Sequence, residues 1–221
     1  GNGHDGAVEG AKWVTGKFGG ALEFNGDGDH VFVPHADALN LEAVSVVAWV
    51  VPTEWNPDLN AIAQKWEDGT NRRQYQLTVY QEKNWWYVSD AGDNWPRTDA
   101  TTTIIPLDEW THLVGTYDGS MMRAYVNGVL DEEKPQEAGL FTSDVDVQIG
   151  GYGPTTPVVY GENRHFKGVI DEVYFYDGAL TEAEIRALFE AGADVFRLNF
   201  SHGTHAEQAV RYAAVRAVEA A

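Results

Sequence analysis

The sequence contains no cysteine. That removes disulfide bonds, thiolate nucleophiles and zinc–thiolate centres at once. Positive charge is scarce, with 15 Lys and Arg against 34 Asp and Glu and a net charge of −19. A chain of that sign has little with which to neutralise phosphates, so it argues against nucleic acid and disfavours anionic membranes. No run of about 18 apolar residues occurs, so no membrane insertion is expected. The amino-terminal GNGHDGAVEG is polar and lacks the form of a signal peptide, so a mature form, a fragment or an intracellular protein is expected.

What is present favours strands. Hydrophobic residues make up 43% of the chain, aromatics 12%, and glycine occurs 23 times. Strand patterns fall at Ala21–Phe24, His30–Val33, Val44–Val51, Tyr75–Tyr80, Trp85–Ser89, Thr111–Tyr117, Met121–Val126, Val145–Ile149 and Gly168–Tyr176. Asp118-Gly119 and Asn127-Gly128 between such segments predict hairpin turns. The spacing predicts an all-β sandwich of two antiparallel sheets, of jelly-roll type. Two helices come late. Thr181–Glu184 forms a capping box ahead of Ile185, Leu188 and Phe189, and Thr204–Glu207 forms a second ahead of an Ala-rich stretch. Residues 192–221 carry three Arg and three Asp or Glu and are neutral, so a module boundary is placed near Gly192. The expected division is residues 1–191 and a strand-helix tail at 192–221 that is not an independent domain.

Several residues are candidates for chemistry. Trp55, Trp66, Trp85, Trp86 and Trp95 lie in or beside polar, loop-like sequence. Sugars stack on exposed aromatic faces while polar groups align their hydroxyls. Trp85 and Trp86 must face opposite ways on one strand. Gln76, Thr78 and Tyr80 form a polar face opposite Tyr75, Leu77 and Val79. Trp85, Trp86, Trp95, Tyr80 and Gln76 are therefore the expected ligand-binding residues. The turn Asn25–Asp29 offers flexible carbonyls and the carboxylates of Asp27 and Asp29, a donor set that suits calcium. Asp171 interrupts an apolar strand, where a carboxylate is costly unless paired. A glycosidase needs two carboxylates at about 5–9 Å, and no Glu-x-Asp-x-x-Glu run exists. No recognisable nucleophile turn or lyase motif occurs either, so no catalytic residue is assigned.

Four ordered segments of residues 1–191 carry a resemblance. GKFGGALEFNGDGDHVFVP at 16–34, VSVVAWVVP at 44–52, EWTHLVGTYDGSMMRAYVNGV at 109–129 and FKGVIDEVYFYDGALTEAEI at 166–185 resemble the laminin-G-like, concanavalin-A-like lectin family. The resemblance implies a two-sheet jelly roll, a structural calcium ion and a binding role. It also implies that Asp171, the early turn and the Gly1–Gly3 loop meet around one ion, with Asp29 and Asp171 as ligands, Asn2 and Asp5 next, and Asp27 in the turn. The resemblance implies a further strand ahead of GNGHDG, and the sandwich is expected to lack it. Separately, GADVFRLNFSHGTH at 192–205 resembles the first strand, loop and helix start of pyruvate kinase. It would match Arg197 to a substrate-phosphate contact and Asn199 and Ser201 to potassium ligands. Thirty residues cannot close a (β/α)₈ barrel, which needs about 250, so no kinase activity is expected of this segment.

The reading is a non-catalytic, secreted or cell-surface module that binds a polysaccharide or glycan and carries structural calcium. The alternatives are a polysaccharide-degrading hydrolase or lyase and a protein–protein adhesion domain. The alternating segment Asp194–Phe200 is expected to add to a sandwich edge in its own chain or a neighbour's, which would make a homo-oligomer.

Overall fold

The computed structural model describes residues 4–67, 69–151 and 164–190. Thirteen antiparallel strands form among them, nine at the segments the sequence pattern predicts. These are β1 (Ala7–Glu9), β2 (Lys12–Thr15), β3 (Gly20–Asn25), β4 (His30–Val33), β5 (Val44–Glu54), β6 (Asn60–Lys65), β7 (Tyr75–Tyr80), β8 (Lys83–Val88), β9 (Thr111–Tyr117), β10 (Met121–Val126), β11 (Val129–Pro135), β12 (Val147–Ile149) and β13 (Lys167–Asp177). One sheet runs β1-β4-β12-β6-β7-β8 and the other β11-β10-β9-β5-β13-β3-β2. The expected all-β, two-sheet sandwich is the observed architecture.

The facing sides of the sheets share one core. β5 supplies Val44, Val46, Ala48 and Val50, β7 supplies Tyr75, Leu77 and Val79, and β8 supplies Trp86 and Val88. Trp86 is completely buried. It lies against Gly115, where a Cβ would sit 2.3 Å from the indole. The sheets approach this closely at the Trp because β9 has no side chain there.

The hairpin turns form as the sequence predicts. Asn127 and Gly128 both have positive φ, 50° and 76°, as a two-residue turn between right-twisted strands requires. The Thr181 box also forms: the Glu184 amide donates to Thr181 Oγ1 at 3.3 Å, and the Thr181 amide donates to Glu184 Oε2 at 2.8 Å. The helix it opens, α1 (Glu182–Glu190), lays Ile185 on Val47, Val114 and Tyr125, on the far side of the seven-stranded sheet.

Four strands escape the alternation argument. β6 is buried at every residue, so it shows no period. β11 is an acidic, half-exposed edge, and β1 and β2 are short, exposed edges. Between the edges formed by β1 and β2 the sandwich opens into an apolar cleft of about 1240 Å³. Val31, Val33, Leu41, Val147, Ile149 and Phe175 line it. The pyruvate-kinase-like segment, the strand expected at 194–200 and the second helix lie outside the described residues.

Candidate functional site

The candidate site grows from the pairing of β7 with β8. Gln76 opposes Tyr87, Leu77 opposes Trp86 and Thr78 opposes Trp85. Alternation therefore sends Trp86 inward and Trp85 and Tyr87 to the other side of the six-stranded sheet, alongside Gln76 and Tyr80. Of the two adjacent tryptophans, only Trp85 is available to a ligand. The expectation for Trp86 is corrected: register places it in the core, and no part of it is exposed. Trp55, another candidate, packs against the core from its edge.

Behind this face lies a row of amides. Gln148 of β12 is level with Gln64 of β6, and Gln64 with Gln76 of β7. Gln64 Nε2 donates to Gln148 Oε1 at 3.2 Å, and Gln76 Nε2 donates to Gln64 Oε1 at 2.5 Å. Each amide fixes the next, so Gln76 is held at one orientation under the pocket floor.

The loop after β8 closes one side. Ser89 Oγ donates to Asn94 Oδ1 at 2.6 Å, and the Gly92 amide donates to Ser89 Oγ at 2.9 Å. The chain then returns beside β8. The Val88 amide donates to the Pro96 carbonyl at 3.0 Å, the Thr98 amide donates to the Trp86 carbonyl at 2.9 Å, and Arg97 bridges Tyr87. This return strand carries Trp95 and Arg97 to the rim. Trp95 is 52% exposed, unusual for so large a ring.

The result is a pocket of about 330 Å³ in which aromatics and guanidinium groups alternate. The Arg97 guanidinium lies 5.1 Å from the Trp85 ring centre and 5.8 Å from that of Tyr87. The Arg73 guanidinium lies 5.8 Å from Trp66 and 5.2 Å from Trp95. All four distances fall within cation–π range. Tyr80 meets Trp85 edge-on at 4.7 Å. Asp58 and Arg164 form an ion pair at 2.6 Å across the remaining side. Among the described residues, Asp58 is the one carboxylate lining the pocket.

The structure thus brings four expected residues, Gln76, Tyr80, Trp85 and Trp95, into one pocket. Sequence reasoning missed Tyr87, Arg73, Arg97 and Arg164. Tyr87 was within reach, because it shares a face with Trp85. The arginines come from three separate loops and carry no common pattern.

The carboxylates expected to share calcium are not brought to one point. Asp171 Oδ2 accepts the Phe18 amide at 3.0 Å and Oδ1 accepts the Glu172 amide at 2.8 Å. A Cβ on Gly16 would lie 2.4 Å from Asp171 Oδ2 and 2.9 Å from the Ala21 methyl, so Asp171 sits near the start of β3. Asp29 Oδ2 accepts the Asn25 amide at 2.9 Å, at the end of β3. Four strand residues separate the two positions, about 13 Å at ~3.3 Å each. The register of β3 against β13, which the sequence does not display, sets the two positions this far apart. Asp5 and Asp171 both border the apolar cleft, and Asp27 is exposed. Asn2 lies outside the described residues. Among the described residues, no three His, Asp or Glu side chains cluster as metal ligands.

Residues 25–186 match the family model of the concanavalin A-like lectin/glucanases superfamily. The chain belongs to that superfamily. Comparison with curated proteins gives no match. Among solved structures, the binding domain of Paraclostridial Mosquitocidal Protein 1 is similar, with a TM-score of 0.70 and 15% identity over 86% of this chain and 48% of that one. Domain 4 of AbnA, a GH43 extracellular arabinanase from Geobacillus stearothermophilus in complex with arabinotriose, has a TM-score of 0.62 and 22% identity, covering 83% of this chain and 87% of that domain. The botulinum neurotoxin serotype G binding domain has a TM-score of 0.64 and 12% identity over 86% and 47%. The chain spans about half the length of the two toxin binding domains. At these identities the likeness shows the fold of this superfamily member. The family match stops at residue 186, so the resemblance of the tail to pyruvate kinase draws no support from it.

Proposed function

We propose that this chain is a non-catalytic module that binds a glycan in the Trp85–Trp95 pocket. One observation carries the reading: Trp85 and the half-exposed Trp95 present ring surface to a concave pocket whose floor includes the buried ring of Tyr87. Aromatic platforms with a few oriented polar groups are the anatomy of a saccharide site. Tyr80 and Arg97 supply the polar groups, and the buried amide row that ends at Gln76 braces the floor beneath them. The arabinotriose complex of the arabinanase domain supports the reading at the level of a shared scaffold. Hydrolysis is disfavoured because a carboxylate pair is required, and the lining carboxylate Asp58 is engaged by Arg164 at 2.6 Å. The pocket is concave and small, which favours a saccharide over the broad apolar patch of an adhesion face. A glycan array probed with the wild-type chain and with Trp85→Ala and Trp95→Ala tests this. The expected result is a ligand bound by the wild type and weakened about tenfold or more in both variants. Equal binding by all three chains would refute it.

Two further parts belong to the proposal. A polysaccharide ligand implies a secreted or cell-surface location. A structural calcium ion would bind at the Asn25–Asp29 turn alone, independently of Asp171. The support is local: Asp29 is a buried carboxylate, and Gly26 and Gly28 both have positive φ, 78° and 89°.

A further inference from the structure

Resting on the glycan reading, we propose that the pocket selects an acidic saccharide, one bearing a carboxylate or sulfate, and that Arg97 makes the selection. The chain has a net charge of −19 and only 15 basic residues. Among the described residues, Arg73, Arg97 and Arg164 line this one pocket, and Asp58 is the one carboxylate beside them. The local balance is therefore 3 − 1 = +2 in formal charge among the described lining residues. Chance placement on an acidic surface does not explain this concentration.

The three arginines are not equivalent. Arg164 is engaged by Asp58 at 2.6 Å. Arg73 donates to Asn71 Oδ1 at 3.2 Å and lies between two indoles. Arg97 is different. Its carboxylate neighbour is Asp99 at a long 3.8 Å, and Asp99 also receives Lys134 Nζ at 3.1 Å. The Nε of Arg97 is buried without an acceptor, and so is Nε1 of Trp85 beneath it. Both of those donors are buried, while the Arg97 side chain as a whole is 31% exposed, so its terminal nitrogens are what a ligand meets.

A neutral sugar hydroxyl brings a donor with every acceptor. A carboxylate or sulfate brings acceptors alone and matches the guanidinium fork with two parallel hydrogen bonds. Stacking on Trp85 and Tyr87 holds the guanidinium plane, so little side-chain freedom remains to be lost on binding. The sugar ring would lie on Trp85 or Trp95 and direct its acidic group at Arg97, with Tyr80 serving its hydroxyls.

The test measures affinities calorimetrically for matched probes. The acidic probes are a galacturonate tetramer, a chondroitin sulfate tetrasaccharide and 3′-sialyllactose. The neutral probes are galactotetraose, arabinotriose and lactose. The expected result is at least one acidic probe bound tenfold or more tighter than every neutral one. Arg97→Gln removes that preference and Arg97→Lys keeps part of it, with melting curves confirming that both variants fold. Neutral probes bound as tightly as acidic ones, and weakened by Trp85→Ala, would overturn the acidic inference and leave the glycan reading standing. No binding of any probe would overturn both. A preference that survives Arg97→Gln would overturn the role of Arg97.

Discussion

Both sheets carry aromatic residues on the side turned away from the shared core, yet the two faces have opposite fates. On the seven-stranded sheet, α1 covers Val47, Val114 and Tyr125. Phe189 of that helix stacks on Trp49 at 5.6 Å and lies 6.0 Å from His112. His112 is buried with no hydrogen-bond partner on either ring nitrogen, and desolvation pulls its pKa down to about 4. On the six-stranded sheet, the same kind of ring is interleaved with Arg73, Arg97 and Gln76, and loops form a rim around them. An aromatic face closed by a helix is a second small core. On the other face, Trp85 and the half-exposed Trp95 keep ring surface in a pocket beside Arg73 and Arg97, with no helix laid over them among the described residues.

The comparison is most strongly tested at the adjacent tryptophans. Trp86→Ala empties the core and is expected to cost about 3–5 kcal/mol. Gly115→Ala drives a methyl into the same indole and should cost about 1–3 kcal/mol. Trp85→Ala, one residue away, should change stability by less than about 1 kcal/mol while removing binding. Denaturant unfolding of the three variants checks the ranking, and equal losses at Trp85 and Trp86 would erase the distinction between the faces.

The covered face makes a pH prediction. His112 binds a proton less readily when folded than when unfolded. The unfolded chain therefore holds the extra proton between about pH 6.5 and pH 4, and stability rises with pH across that window. Stability is complete above the unfolded value and falls as pH drops, by about 3 kcal/mol in total. Phe189→Ala, which uncovers the ring, should raise the His112 pKa toward 6.5 and shrink the effect, as an NMR titration would show. An unchanged pKa would mean that α1 does not keep this face dry.

The smallest effect concerns Asp29. If calcium binds the Asn25–Asp29 turn, chelation lowers the melting temperature by about 2–4 °C, equivalent to about 1 kcal/mol. Asp29→Asn abolishes the difference and Asp171→Asn does not. Dependence on both residues would restore the shared site that the register of β3 argues against.

Much of this was legible before the structure. Nine strand segments, two hairpin turns and the Thr181 cap follow from alternation, turn chemistry and capping, all of which are local. The polar face of β7 was legible for the same reason. The remainder depends on partners distant in sequence. β6 has no visible period because both its faces are buried, and it hides Lys65, which the sequence would assign to the surface. That lysine donates to the Ser143 carbonyl, and burial lowers its pKa to about 8. Alternation shows that Trp85 and Trp86 diverge, but only pairing with β7 and contact with Gly115 decides which one enters the core. Arg73, Arg97 and Arg164 converge from loops with no common spacing. The separation of Asp29 from Asp171 is a matter of register, which a sequence does not display.

The central claim is that the open aromatic face is a glycan site and not an unfinished core. The most direct measurement is the affinity of the Trp85→Ala chain, relative to wild type, for the tightest ligand found on a glycan array, taken with the melting temperatures of both proteins. The account predicts a loss of about tenfold or more with melting temperatures within about 3 °C of each other. Retained affinity, or loss of binding accompanied by a collapse in melting temperature, would contradict it.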